Sequence, residues 1–219
     1  MITHLEQEIE NIKMKVFEMA DLSIEAISNA VEALKTGDAQ SAENIIKDDD
    51  KIDRLEIEID NRCINLLVTK QPAATNLRLV LSFLKINTDL ERIGDLASVI
   101  CKETIRLNGS VVKPLIDIPR MANLCIEMIK GGLEAFSEMN PDKAKGIIEM
   151  DKVIDDLNLQ IYRELFSYMA ENPGVMSRAL SLIMISKTLE RIGDHATNIA
   201  ERAVYYIKGI DIRHKEVNV

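Results

Sequence analysis

"LERIGD" stands at residues 90–95 and again at residues 189–194, 99 positions apart. Chance recurrence of six identical residues in a chain of 219 is rare, so the repeat marks duplicated architecture, duplicated chemistry or both. The match extends upstream. "IIKDDDKIDRL" at 45–55 aligns with "IIEMDKVIDDL" at 147–157 at an offset of 102. The two offsets agree if the second copy is three residues shorter between its second and third helices. Three helices, repeated, is the organisation this predicts, one copy over residues 1–109 and the other over 110–219.

The apolar period predicts the helices themselves. They run from about Leu5 to Lys35, Ala39 to Lys70 and Asn76 to Leu107. The next follows Pro114 and Pro119 and reaches Met139, another runs from "NPD" at 140–142 to "ENPG" at 171–174, and the last ends near Lys208. In the third helix Leu79, Phe83, Ile86, Leu90, Ile93, Ala97 and Ile100 make a seam in steps of four and three, the stripe of a bundle core. Aromatics are only 4%, Trp is absent, and Gly totals 9 against 5 Pro, which disfavours strands and frequent turns. With 47% hydrophobic residues the chain can build a large core. The fold class expected is all-α: two tandem three-helix bundles. The tail "DIRHKEVNV" has no apolar face and is expected to fray.

Net charge is −9, from 27 basic and 36 acidic residues. Without a basic stripe, nucleic acid and anionic membrane are poor partners, whereas cations and basic protein surfaces suit the chain. The N-terminal segment "MITHLEQEIENIKMKV" is charged and periodic, unlike a signal peptide. Apolar runs such as "LSLIMIS" are too short to span a bilayer, so no membrane insertion is expected. Cys63, Cys101 and Cys125 are odd in number and far apart, which suits buried thiols in a reducing cytoplasm.

Acids fall in pairs four residues apart, hence on one helix face. Asp49 and Asp53 lie beside the stripe Ile45, Ile52, Ile59 and Leu66, and Glu91 and Asp95 on the next helix point away from its seam. Asp151/Asp155 and Glu190/Asp194 are the aligned pairs of the second copy, the latter beside Leu189, Ile192, Ala196 and Ile199. Antiparallel neighbours could bring two pairs together in each copy. Like charges at this spacing destabilise a helix by roughly 0.2–0.5 kcal/mol, so four pairs cost on the order of 1–2 kcal/mol unless a multivalent cation bridges them. Carboxylate and water ligands suit Mg, Ca, Mn or iron better than copper. A solvated acidic surface is the plainer alternative. Gly94 and Gly193 recur beside the acids at about 1 kcal/mol each relative to Ala, for close helix approach or for access of an ion.

Enzyme readings find little support. A carboxylate-bridged di-iron oxidase needs inward-facing acids and Glu-x-x-His steps, and no histidine follows a glutamate at that spacing. His195 adjoins Asp194 and could be a further ligand or a polar flank; His4 and His214 lie near the termini. No serine or cysteine is placed with a base, and no Gly-rich phosphate loop precedes a helix.

"TDLERIGDLASVI" at 88–100 and "KTLERIGDHATNIAE" at 187–201, with the acid pairs before them, resemble the PhoU family of phosphate-transport regulators across essentially the whole chain. The resemblance implies a cytoplasmic, often dimeric, non-catalytic protein of two three-helix bundles that represses phosphate-starvation signalling when phosphate is plentiful. It implies partners too: the ATPase subunit of a phosphate transporter and a membrane sensor histidine kinase. Family members with the acid-x-x-x-Asp motif bind multinuclear metal clusters on the outer surface. The resemblance thus implies iron first, with zinc, manganese or magnesium as alternatives. Its ligands would be Asp49, Asp53, Glu91 and Asp95 in one copy, and Asp151, Asp155, Glu190 and Asp194 in the other. The second copy continues with Asn198 and Glu201 where the first has Val99 and Lys102, so the two sites are expected to differ. A metal-free adaptor that docks basic surfaces directly is the rival reading.

Overall fold

The computed structural model describes residues 3–212. Seven α-helices follow one another: α1 (His4–Thr36), α2 (Ala39–Asp48), α3 (Asp50–Lys70), α4 (Ala74–Leu107), α5 (Asp117–Ser137), α6 (Pro141–Glu171) and α7 (Met176–Lys208), with a 3-10 turn at Pro173–Val175. The expected second helix is therefore two. Its break falls at Asp49, inside the run Asp48-Asp49-Asp50. Aspartate is a weak helix former, three adjacent negative charges repel, and Asp50 and Asp53 gain from lying in the first turn of a new helix. At the aligned positions 150–152 α6 has "MDK", one aspartate against three, and α6 runs through unbroken.

Helix ends are set by local chemistry. Thr3 and Glu6 form a capping box on α1, the Thr3 amide donating to Glu6 Oε2 at 2.7 Å. Asp38 caps α2 by accepting from the Ser41 amide at 3.0 Å, and Asn140 caps α6 ahead of Pro141. Gly37 ends α1 in the left-handed conformation at φ 70°, and a Cβ there would lie 2.8 Å from Gly109 Cα. Pro119 sits in the first turn of α5, where its missing amide proton breaks no helical bond.

Helices α1, α2/α3 and α4 form the first bundle and α5, α6 and α7 the second. The expected seam of α4 is buried from Phe83 to Ile100; Leu79 is only partly covered. On α3, Ile52, Ile59 and Leu66 are buried, whereas Ile45 on α2 is partly covered. The bundles are not merely side by side. They share one continuous apolar core in which α4 packs along α7. An aromatic chain crosses between them: Phe83 meets Phe136 at 5.5 Å between centroids, and Phe136 meets Tyr206 at 5.0 Å. All three cysteines are free and buried, and burial pushes each thiol up to about 12. Ile212 is buried, so the start of the C-terminal tail does have an apolar anchor; residues 213–219, His214 among them, lie outside the described residues.

The bundle interface breaks the internal symmetry. Asp89 on α4 is buried and stands 2.9 Å from His195 Nδ1, while Asn198 Nδ2 donates to the same Asp89 oxygen at 3.1 Å. The positions related by the repeat are Thr188, Leu96 and Val99, an almost apolar set. We expect Asp89→Ala to lower stability by about 1–3 kcal/mol, because it orphans two polar side chains in a covered interface. Asp89→Thr/His195→Leu/Asn198→Val copies the apolar mate and is expected to recover most of that loss. Urea unfolding of the three proteins measures both effects.

Candidate functional site

The acid pairs lie in the outer groove between the second and third helices of each bundle, and small residues let those helices close up. A Cβ on Gly94 would meet Ile52 Cδ1 at 2.8 Å and Asp49 Oδ1 at 2.9 Å; one on Gly193 would meet Ile154 Cγ2 at 3.2 Å. Each glycine of LERIGD thus accepts an isoleucine of the neighbouring helix, which sets the acids of the two helices against one another. Close helix approach accounts for both glycines.

The groove is not a uniformly solvated face. Asp53, Asp95, Asp155 and Asp194 are exposed, but Asp49 and Asp151 are half-buried. The Glu91 and Glu190 side chains keep only 15% and 13% of their surface. Oε2 of each glutamate is buried and accepts no hydrogen bond, although Arg92 Nε stands 3.3 Å from that of Glu91. These side chains are only partly turned outward, contrary to the expectation that both acids of each pair point away from the core.

Burial and mutual repulsion act in the same direction. Desolvation raises Asp49, Asp53 and Glu91, and Asp95 pushes each further up. In the second bundle desolvation raises Asp151, with Asp155 and Glu190 adding to it. Asp194 is pushed up to about 6 by desolvation and then by Glu190, Asp151 and Asp155. The electrostatic coupling runs between helices, so each set of four is one cluster. Cations trim the charge: Arg92 pairs with Glu91 and with Asp95 at 3.2 Å, Lys187 holds Glu190 Oε1 at 2.5 Å, and Lys102 offsets part of the upward shift of Asp49.

Further residues belong to the groove. Ser98 Oγ donates to Asp49 Oδ2 at 3.1 Å and partly offsets the upward shift. Thr197, its repeat mate, lowers Asp151 similarly, although its Oγ1 closes no hydrogen bond. Glu56 joins the first cluster, raised by desolvation and then by Asp60 and Asp53. The repeat alignment could have exposed the Ser98/Thr197 pair; Glu56 has Asn158 as its mate and no such signal.

One expected ligand behaves otherwise, and His195 takes its flank role. Asn198 donates its amide across the bundle interface to Asp89. His195 faces the same Asp89 and is a flank residue rather than a member of the cluster. Glu201 is half-buried and already engaged by another residue.

A carboxylate whose folded pKa lies above its unfolded value binds more protons in the native state, so stability falls as pH rises between the two. For Asp194 that window is roughly pH 4 to 6. Glu6, Asp38 and Glu164 are lowered by their hydrogen bonds and act oppositely, at lower pH. Metal-free protein is therefore expected to be more stable at pH 5 than at pH 7, by on the order of 1 kcal/mol after solvent screening. Urea titrations in chelator check this, and Asp194→Asn is expected to flatten the dependence.

A model of the PhoU domain matches residues 16–104 and again 118–203, one match in each bundle. This chain belongs to the PhoU family. The PhoU homolog of Pseudomonas aeruginosa, a phosphate-specific transport system accessory protein, is 36% identical over 209 residues, covering 94% of this chain and 86% of the relative. The accessory protein PhoU of Escherichia coli is 33% identical over 208 residues, with the same coverage. The crystal structure of PhoU from Pseudomonas aeruginosa superposes with a TM-score of 0.90 at 35% identity, over 94% of this chain and all of that one. That of the phosphate transport system regulatory protein PhoU from Streptococcus pneumoniae gives 0.88 at 28% identity, over 95% and 99%. The PhoU fold here contains, among the described residues, no helix long and apolar enough to cross a membrane. Nor is any group of three or more histidine, cysteine or carboxylate side chains among them already gathered around one ion-sized point.

Proposed function

We propose that this chain is a cytoplasmic regulator of phosphate uptake, repressing phosphate-starvation signalling as a non-catalytic, homodimeric adaptor between a phosphate transporter's ATPase subunit and a sensor histidine kinase. Membership of the family, and relatives that are phosphate transport system accessory and regulatory proteins, support the phosphate-transport role. The metal-binding part rests on carboxylates of two helices set together in each groove by Ile52 against Gly94 and Ile154 against Gly193, where burial and then their neighbours hold Asp49 and Asp194 above the usual carboxylate range. Such a set is short of positive charge: Glu190 Oε2 is a buried acceptor that closes no hydrogen bond, and Glu91 Oε2 has only the Arg92 guanidinium at 3.3 Å.

Metal ions fit that deficit. Asp49, Asp53, Glu91 and Asp95 would hold one group of ions, and Asp151, Asp155, Glu190 and Asp194 the other, with side-chain rotation drawing the oxygens together. Iron is the first candidate, with zinc, manganese and magnesium behind it. When bound, the metal would supply positive charge that binds the helices of each groove together. Ser98 would then hold the Asp49 carboxylate it donates to, and Glu56 would add a further negative charge beside Glu91.

A metal-free adaptor is the second reading. It is favoured by Arg92 and Lys187, which already pair with cluster acids, and by oxygens that do not yet converge. Deleting the gene is expected to raise expression of high-affinity phosphate uptake at high phosphate, and the intact gene to restore repression. Unchanged expression on deletion would overturn the regulatory role. Restoration by Asp95→Asn/Asp194→Asn as complete as wild type would favour the metal-free reading.

A further inference from the structure

We propose that the outer groove between α6 and α7 docks an amphipathic helix of a partner protein, apolar over one half and rich in Lys and Arg over the other. This gives the adaptor reading of the preceding section a surface and rests on it, but does not depend on metal.

The stripe that carries Asp151 and Asp155 along α6 continues, in steps of four and three, to Leu159, Tyr162 and Phe166. On α7 the stripe of Asp194 and Glu190 continues back through Lys187 to Leu180 and Met176. The antiparallel register is set by Ser186 Oγ, which donates to Asn158 Oδ1 at 2.7 Å, and by Ile154 against Gly193. Phe166 consequently stands level with Met176 and Leu180. One end of the groove is thus acidic and the other apolar.

The apolar end is far from buried. Leu159, Tyr162, Phe166, Met176 and Leu180 expose 46% to 58% of their surface, and the Tyr162 and Phe166 rings stack at 6.3 Å. Single exposed apolar residues need no explanation, but a run on two facing helices marks a binding surface. The run also recurs in the first bundle. Ile57, Ile64, Leu77 and Leu81, all exposed, are the repeat mates of Leu159, Phe166, Met176 and Leu180. The second groove is the more continuous, because Tyr162 replaces Asp60 and Met184 replaces Lys85.

Charge selects the occupant. A second copy laid groove to groove would set each acidic cluster against either the other acidic cluster or the other apolar end, and neither supplies a cation in a chain of net charge −9. A helix with apolar anchors at i, i+3, i+4 and i+7 fits the apolar end, and basic residues in its next two turns meet Asp151, Asp155, Glu190 and Asp194. From Asp151 to Phe166 is about 22 Å, the length of a partner helix of about 15 residues.

The test is titration with a designed 16-residue peptide, leucines on one face of its first half and arginines on the same face of its second, against the full chain in EDTA. Binding is expected that weakens at least about tenfold in Phe166→Lys, the scale of losing a buried aromatic anchor. A peptide of the same composition, scrambled along its length, is expected to bind at least tenfold more weakly. Raising salt should weaken wild type more than Asp155→Asn/Asp194→Asn. Leu159→Lys serves as a second variant, and circular dichroism checks folding. Equal binding of both peptides, or no effect of either lysine, overturns the proposal. So does a wild-type dimer that both lysines dissociate and the peptide does not. If Phe166→Lys loses the peptide yet represses phosphate-starvation genes fully, the groove is not the adaptor surface, and the regulatory reading still stands.

Discussion

Protein reconstituted anaerobically with iron(II), or with manganese or zinc, is expected to hold metal in both grooves and to melt well above its metal-free form. The metal-free clusters are strained by mutual repulsion, with Asp194 pushed up to about 6. An ion that binds the native clusters but not the unfolded chain adds about 2.7 kcal/mol per site at a hundredfold excess over Kd. Two sites give about 5 kcal/mol, or roughly 10–20 °C in a chain of this size. Elemental analysis and thermal melts should show metal content and the added stability lost together in Asp95→Asn/Asp194→Asn. That variant removes repulsion as well, so without metal it is expected to melt no lower than wild type. Negligible metal in both proteins would end the cluster reading and leave the metal-free adaptor.

Gly94→Leu is expected to destabilise the protein by about 3 kcal/mol, lowering Tm by roughly 6–12 °C. Even a Cβ at Gly94 would intrude on Ile52 and on the Asp49 carboxylate. The helix-propensity gain of about 1 kcal/mol on leaving glycine is too small to offset pushing α3 off α4. Asp49 moves with the displaced helix, so metal content of the first groove should fall as well. Gly146→Ala is the control. No atom lies within 4 Å of its added Cβ, so it should stabilise α6 by about 0.5–1 kcal/mol. A Gly94→Leu protein as stable as wild type would mean that the close contact between α3 and α4 is not required.

Much of this was readable in one dimension. The duplicated hexapeptide and the 99/102 offsets indicated three helices twice over, because a helical period survives in sequence wherever one face of a helix is buried. The acid pairs were legible for the same reason: residues four apart share a face in any helix. The break at Asp49 was harder to see, since the apolar period from Ile45 to Ile52 and Ile59 passes across Asp48-Asp49-Asp50 and favours one long helix. Glu56 was invisible because its repeat mate is Asn158. The flank reading of His195 held, but Asn198 was assigned to the acids of its own bundle, since its partner Asp89 lies more than a hundred residues earlier in the chain.

The amino-acid order alone determined the helices, their duplication and the pairing of acids along each one, all consequences of spacing within a single helix. Which acids are half-buried, how two helices couple their charges, and where the bundles lean on Asp89 were decided only in the folded chain. Burial and electrostatic coupling depend on distances between helices, and Gly94 and Gly193 shorten those distances in a way no local pattern records.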